Sequence, residues 1–185
     1  MDDQQELRSI LQESMCFLSA IACGLEEALG DPANTVSHLA GEKLGRQFAA
    51  GHCNDDLIEA LKDVQQILQQ NGCLWQFECF KPKNQEDLIQ QTPDGDEVTL
   101  VFRDCMIRQA LFRFGHHQKG SLCNLMNGFF ASAIQNIMGR QASLEIVHAG
   151  ENACLKKLLV KRKAEDNSRE HSGSRTQTEG AAAHE

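Results

Sequence analysis

The stretch GSLCNLMNGFFASAIQNIMGRQASLEIVHAGENACLKKLLVK, residues 120–161, changes its period once. From Ser121 to Met138 the apolar side chains keep helical spacing, and Met138-Gly139-Arg140 closes the helix. Beyond it, Ala142–His148 and Ala153–Lys161 read as two strands of a hairpin around Ala149-Gly150-Glu151-Asn152.

Upstream the same alternation of periods recurs. Cys105–Phe114 is helical, separated from Ser121 by the segment Gly115-His116-His117-Gln118-Lys119-Gly120. Cys73–Phe80 and Glu97–Arg103 read as strands, joined by a polar stretch containing Pro82, Pro93 and Asp94-Gly95. Three helices come before them. Gln5–Leu29 carries an apolar stripe from Leu7 through Ile10, Leu18 and Ile21 to Leu29, and Gly30-Asp31-Pro32 stops it. Thr35–Ala50 follows with Asn34 as its cap, and a third helix runs to Gln70 from a cap at Asp55 or Asn54. The order ααα-ββ-αα-ββ predicts an α+β fold: a small, mostly antiparallel sheet packed with helices, behind a long N-terminal helix.

At 185 residues the chain has the length of one domain, and 41 % hydrophobic with 24 % charged residues is ordinary globular composition. Apolar runs reach four residues, as in Met15–Leu18, so no membrane span is expected. The acidic, polar opening Met1–Glu6 is unlike a secretory signal, and the expected location is cytoplasmic. The net charge of −8 argues against a nucleic-acid duplex as main partner, because phosphate binding needs a basic face. One Trp and no Tyr offer little platform for base stacking. Eight cysteines contain no Cys-x-x-Cys pair, and most are expected to be free, buried and apolar in role. Arg162–Glu185 has no Val, Ile, Leu, Phe or Met and reads as a disordered tail.

The segment from Asp104 to Val160, with Gly120-Ser121-Leu122-Cys123 opening a helix and the Leu144–Val160 hairpin, resembles the 4-vinyl-reductase domain family. Gly41-Glu42-Lys43-Leu44-Gly45-Arg46 is consistent with that domain's upstream part. The resemblance implies a fold shared with haem nitric-oxide sensors and transport-protein-particle subunits. It divides the chain into an N-terminal helix (1–34), a ligand-binding domain (35–161) and the tail (162–185). It also implies a structural zinc held by a helix Cys, a Glu-x-x-Cys and a last-strand Cys. Matched by position these are Cys123, Glu145, His148 and Cys154, with His148 standing where the family has its middle cysteine. Histidine is an equally natural zinc ligand. Residues three apart on a regular strand point to opposite faces, so Glu145 and His148 converge only through a bulge or an end-of-strand twist. Read without the family, Cys123 and Cys154 are buried apolar cysteines.

The resemblance further places an apolar pocket between the two later helices and the sheet. Met106, Phe112, Met126, Phe129 and Phe130 are its candidate walls, against the plainer reading of ordinary core. His116-His117 read as solvated loop residues, and Lys156-Lys157 with Lys161-Arg162-Lys163 as a solvated strand end. No phosphate loop, nucleophile elbow or placed carboxylate pair occurs. The expected function is therefore a non-enzymatic module holding a small apolar ligand, aromatic or tetrapyrrole-like. The alternatives are a tetrapyrrole-handling carrier or reductase component in (bacterio)chlorophyll synthesis or photosystem assembly, and a scaffold or assembly subunit. A homodimer through the first helix is expected, with any output passing through a partner protein.

Overall fold

The structure, a computed structural model, describes residues 3–73, 75–83, 85–103, 105–113 and 118–162. The expected His116-His117 segment and the tail beyond Arg162 lie outside the described residues.

Helix α1 spans Asp3–Leu29, α2 Pro32–Phe48 and α3 Leu57–Gln70. Strand β1 (Gln76–Phe80), β2 (Ile89–Gln91) and β3 (Gly95–Arg103) follow, then α4 (Met106–Arg113), α5 (Ser121–Met138) and the hairpin β4 (Ala142–Ala149)–β5 (Ala153–Lys161). All pairings are antiparallel, in the order β1-β3-β5-β4, so β3 is central although it comes third. The α+β class and its long first helix follow the order expected. The addition is β2, which pairs with the first half of β3 while β1 pairs with the second half.

Two helix starts differ from expectation in an instructive way. Pro32 occupies the first helical turn of α2, where its missing N–H costs nothing, and the helix begins three residues before Thr35. Asn34 is thereby freed from capping, and its Oδ1 accepts from Asn124 Nδ2 of α5 at 3.1 Å. For α3 the cap is Asp56, whose Oδ1 accepts from Glu59 N at 2.9 Å. Asn54 supports it by accepting from Asp56 N at 3.1 Å.

Helix α5 is buried along most of its length because both sides are used. One side packs on the sheet, closing a core that includes Val98, Leu100, Phe102, Phe130, Ile134, Leu144 and Leu158. The other meets α2 at backbone contact. A Cβ on Gly41 or Gly45 would run into the Leu125 and Phe129 carbonyls, and one on Gly128 into the His38 carbonyl. Ser132 Oγ donates to Glu42 O at 2.7 Å and Asn136 Nδ2 to Ala49 O at 2.9 Å along the same seam. Helix α1 lies over this pair with Ser19, Ala22 and Glu26 inward. Glu26 reaches the open end of α5, accepting from Ser121 N at 2.6 Å and from its Oγ at 2.5 Å. The carboxylate thus caps a helix from another helix, where the exposed N–H groups and the helix dipole favour negative charge. No described helix is long and apolar enough to cross a membrane.

All eight cysteines are free, as expected, but only Cys105 and Cys154 are buried; Cys53 is exposed and the rest are half-buried. Cys16 and Cys23 lie within α1, away from the main core, whereas Cys73, Cys79 and Cys123 pack against that core while half-buried.

Candidate functional site

The chemistry gathers on the inner side of β5. Strand side chains alternate faces, so burying Cys154, Leu158 and Val160 under α5 carries Lys156 inward with them. Lys156 is 2 % exposed. Its Nζ donates to Asn127 Oδ1 at 2.7 Å, reaches Met126 Sδ at 3.1 Å and stands 5.0 Å from the Phe102 ring centroid. The expected solvated strand end is therefore corrected at this residue. Lys157 does remain outside, paired with Glu97 at 2.9 Å. Strand parity, with Lys156 two residues from both Cys154 and Leu158, was the available signal.

Asn127 and Met126 belong to the face of α5 that also carries Cys123, at the helical spacing of three and four residues. Three sulfhydryls, Cys105, Cys123 and Cys154, lie close enough to Lys156 to act on its charge. Burial is the dominant influence on Lys156, Cys123 and Cys154. It pushes the Lys156 amine below its ordinary range and the Cys123 and Cys154 thiols above theirs. The mutual attraction of ammonium and thiolate opposes both shifts but is the smaller effect. A second cation, Arg108 of α4, is 6 % exposed, and its Nη1 is buried with no hydrogen-bond partner. Cys154 feels Lys156, Arg108 and the exposed Lys119 together. Among the described residues no carboxylate pairs with Lys156 or Arg108. The arrangement can therefore offer hydrogen bonds and positive charge in dry surroundings.

The expected zinc ligands divide into two sets. Cys123 and Cys154 come together on the inner face. Glu145 and His148 are exposed, with Glu145 opposite the outward Lys157 and His148 opposite Leu155. Of the two routes to convergence, a bulge is present, between Ile146 and His148. Its effect is to set Val147 and His148 both outward, so that Glu145 and His148 share the solvent face and not the face of the cysteines. Among the described residues no three His, Cys, Asp or Glu side chains are grouped to hold a metal.

Of the expected pocket walls, Met106, Met126, Phe129 and Phe130 are buried, whereas Phe112 is 49 % exposed. Phe130 stacks edge-on against Phe77 and Phe102 at 5.1 Å each, and Phe129 against Trp75 at 5.8 Å. Met126 and Phe102 join this ring cluster directly to Lys156. Elsewhere a wide groove of about 980 Å³ runs between the start of α3 and the β2 region. Its carboxylates Asp55, Asp56, Glu86 and Asp87 are exposed, and it lies apart from the buried cations and thiols. The chemically distinctive place is the buried cluster, and we take Lys156 and its neighbours as the candidate site.

No known family profile matches the chain, and no curated protein is similar to it at a significant level. Solved structures are. The phenol-responsive sensory domain of the transcription activator PoxR, solved with phenol, superposes with a TM-score of 0.56 at 12 % identity. The match covers 78 % of this chain and 74 % of that one, and it shows a shared fold.

Proposed function

We propose that this chain is a non-enzymatic, cytoplasmic small-molecule-binding module, and that its ligand lies with an apolar body against the inner face of the sheet beside α4 and α5. The observation that carries the reading is the junction of Phe102, Met126 and the ring cluster with a buried amine that has no ionic partner among the described residues. A sensory domain that binds phenol has the same fold, which supports ligand capture as the role. Aromatic and tetrapyrrole-like molecules are the ligand classes we propose, because flat rings gain most from edge and face contact with phenylalanine. The zinc expected from the sequence is not carried into this proposal, since its ligands divide between two faces.

The test is to extract the purified protein with organic solvent, identify small molecules by mass spectrometry and record the absorption spectrum before extraction. A stoichiometric apolar compound is the expected result, and a Soret band would specify a tetrapyrrole. A protein that carries no compound and gains no thermal stability from phenol, naphthalene-derived or porphyrin probes would overturn the reading.

The same module is proposed to act as a homodimer. Helix α1 turns Leu7, Ile10, Phe17, Leu18, Ile21, Leu25 and Leu29 outward, with Phe17 74 % exposed. A continuous apolar stripe of this kind marks an interaction surface. Sedimentation at tens of micromolar should show a dimer, and Phe17→Glu with Ile21→Glu should yield a monomer. A strict monomer in the parent would end the idea.

A further inference from the structure

We propose that Arg108 and Lys156 form the receptor for an acidic head on the ligand, a carboxylate borne by an aromatic or hydrocarbon body. This rests on the small-molecule reading above and adds the chemistry of the polar end.

Two basic side chains are at least nine-tenths buried in a chain whose overall charge is strongly negative. Each has unused donor capacity. An ammonium offers three N–H bonds, and Lys156 meets one good acceptor, Asn127 Oδ1, and one weak one, the Met126 thioether. Arg108 Nη1 has no acceptor at all. A buried donor without a partner is costly, and a buried cation without an anion more so. No described carboxylate supplies the missing charge, and the neighbouring Cys123 and Cys154 thiols, raised by burial, remain protonated at neutral pH. Arg108 of α4, Lys156 of β5 and the exposed Lys119 each act on the charge of Cys154, so all three lie in its neighbourhood. Cys105 completes the surroundings.

A carboxylate matches this arrangement in charge and in acceptor number, since its two oxygens have lone pairs for both Arg108 and Lys156. It also matches the walls: the head meets the cations while the body lies on Phe102, Met126 and the rings beyond. A neutral alcohol of the same body would fill the apolar part and leave Arg108 unpaired. Sites built to bond a polar group discriminate strongly against analogues that lack it. An arriving carboxylate also favours the ammonium form of Lys156, which burial disfavours.

The experiment is calorimetry on the full chain with two matched pairs: 2-naphthoate against naphthalen-2-ylmethanol, and decanoate against decanol. At least one acid should bind ten-fold or more tighter than its alcohol. Lys156→Met and Arg108→Met should each reduce the acid-to-alcohol ratio towards one without weakening the alcohol. The acid-to-alcohol ratio is read on the unaltered protein and holds the test even where a variant fails to fold. Equal binding of acid and alcohol overturns the acidic-head receptor and leaves the small-molecule reading intact. A preference that survives both substitutions places the head elsewhere and also overturns it. Binding of none of the four probes overturns both.

Discussion

Lys156 and Lys157 are consecutive in sequence and inhabit different solvents. Lys157 lies on the outer face of the hairpin, half-exposed and paired with Glu97, in the company of Glu145, Val147 and His148. Lys156 lies on the inner face under α5, among three thiols, a thioether and aromatic rings. The outer lysine has a counter-charge and water; the inner one has no ionic partner among the described residues and no bulk solvent. An exposed ion pair contributes little to stability, whereas an unpaired buried amine is destabilising and persists where the protein uses it. The comparison teaches that the two faces of one hairpin divide the labour: the outer face keeps the protein in water, and the inner face holds polarity available for something else.

The comparison breaks most severely if the inner face is not the core. Leu158 is fully buried two residues from Lys156, and Leu158→Ala should cost about 2–5 kcal/mol in urea unfolding, as large-to-small changes in packed interiors do. A cost below about 1 kcal/mol would show that the inner face is loosely packed.

A smaller effect separates the two kinds of buried group by pH. Cys123 and Cys154 have raised values in the fold, so as pH climbs past the ordinary thiol range the unfolded chain loses protons that the folded chain keeps, and stability falls. Lys156 has a lowered value, so below the ordinary lysine value the unfolded chain keeps a proton that the folded chain releases, and stability rises with pH. The two trends oppose each other between about pH 8.5 and pH 10.4. Lys156→Met removes the rising contribution. Its urea midpoint should therefore fall more steeply than the parent's across that window, and parallel curves would place Lys156 in contact with water.

On the outer face, Glu145→Ala should change stability by less than about 0.5 kcal/mol, the usual range for exposed substitutions. Least of all is expected from His148→Ala in elemental analysis: its zinc content should equal the parent's. Loss of zinc from both His148→Ala and Cys154→Ser would bring the two faces back onto one ion and refute the division drawn here.

Much of this fold is legible because periodicity reports burial directly. Helices α1, α3 and α5 and the β4–β5 hairpin each show a sustained apolar period in the sequence. Strand β2 does not, since Ile89-Gln90-Gln91 has one apolar side chain and is held by backbone pairing to β3. The early start of α2 is written in Pro32, a residue equally at home in a turn that stops α1. The site is less legible than the fold. Cys123 and Cys154 do meet, but a bulge of one residue at Val147 decides which face His148 takes, and its consequence for facing is not a property of composition. Lys156 was readable by parity, yet a lysine run ordinarily signals solvent and masks it. Arg108 gave no signal, because its burial depends on packing between elements remote in sequence.

Glu26 gives the chain a property of its own. The first helical turn of α5 is completed by a carboxylate 95 residues earlier, through both the Ser121 amide and its hydroxyl. The helix that supplies Asn127 and Met126 to the buried amine is thus anchored, at its opening turn, to the helix that bears the outward apolar stripe. Any displacement of α5 along its axis must pull on α1 or release it. Occupancy at Lys156 and the seating of a neighbour on α1 would then be mechanically linked, as two ends of a lever whose pivot is one glutamate.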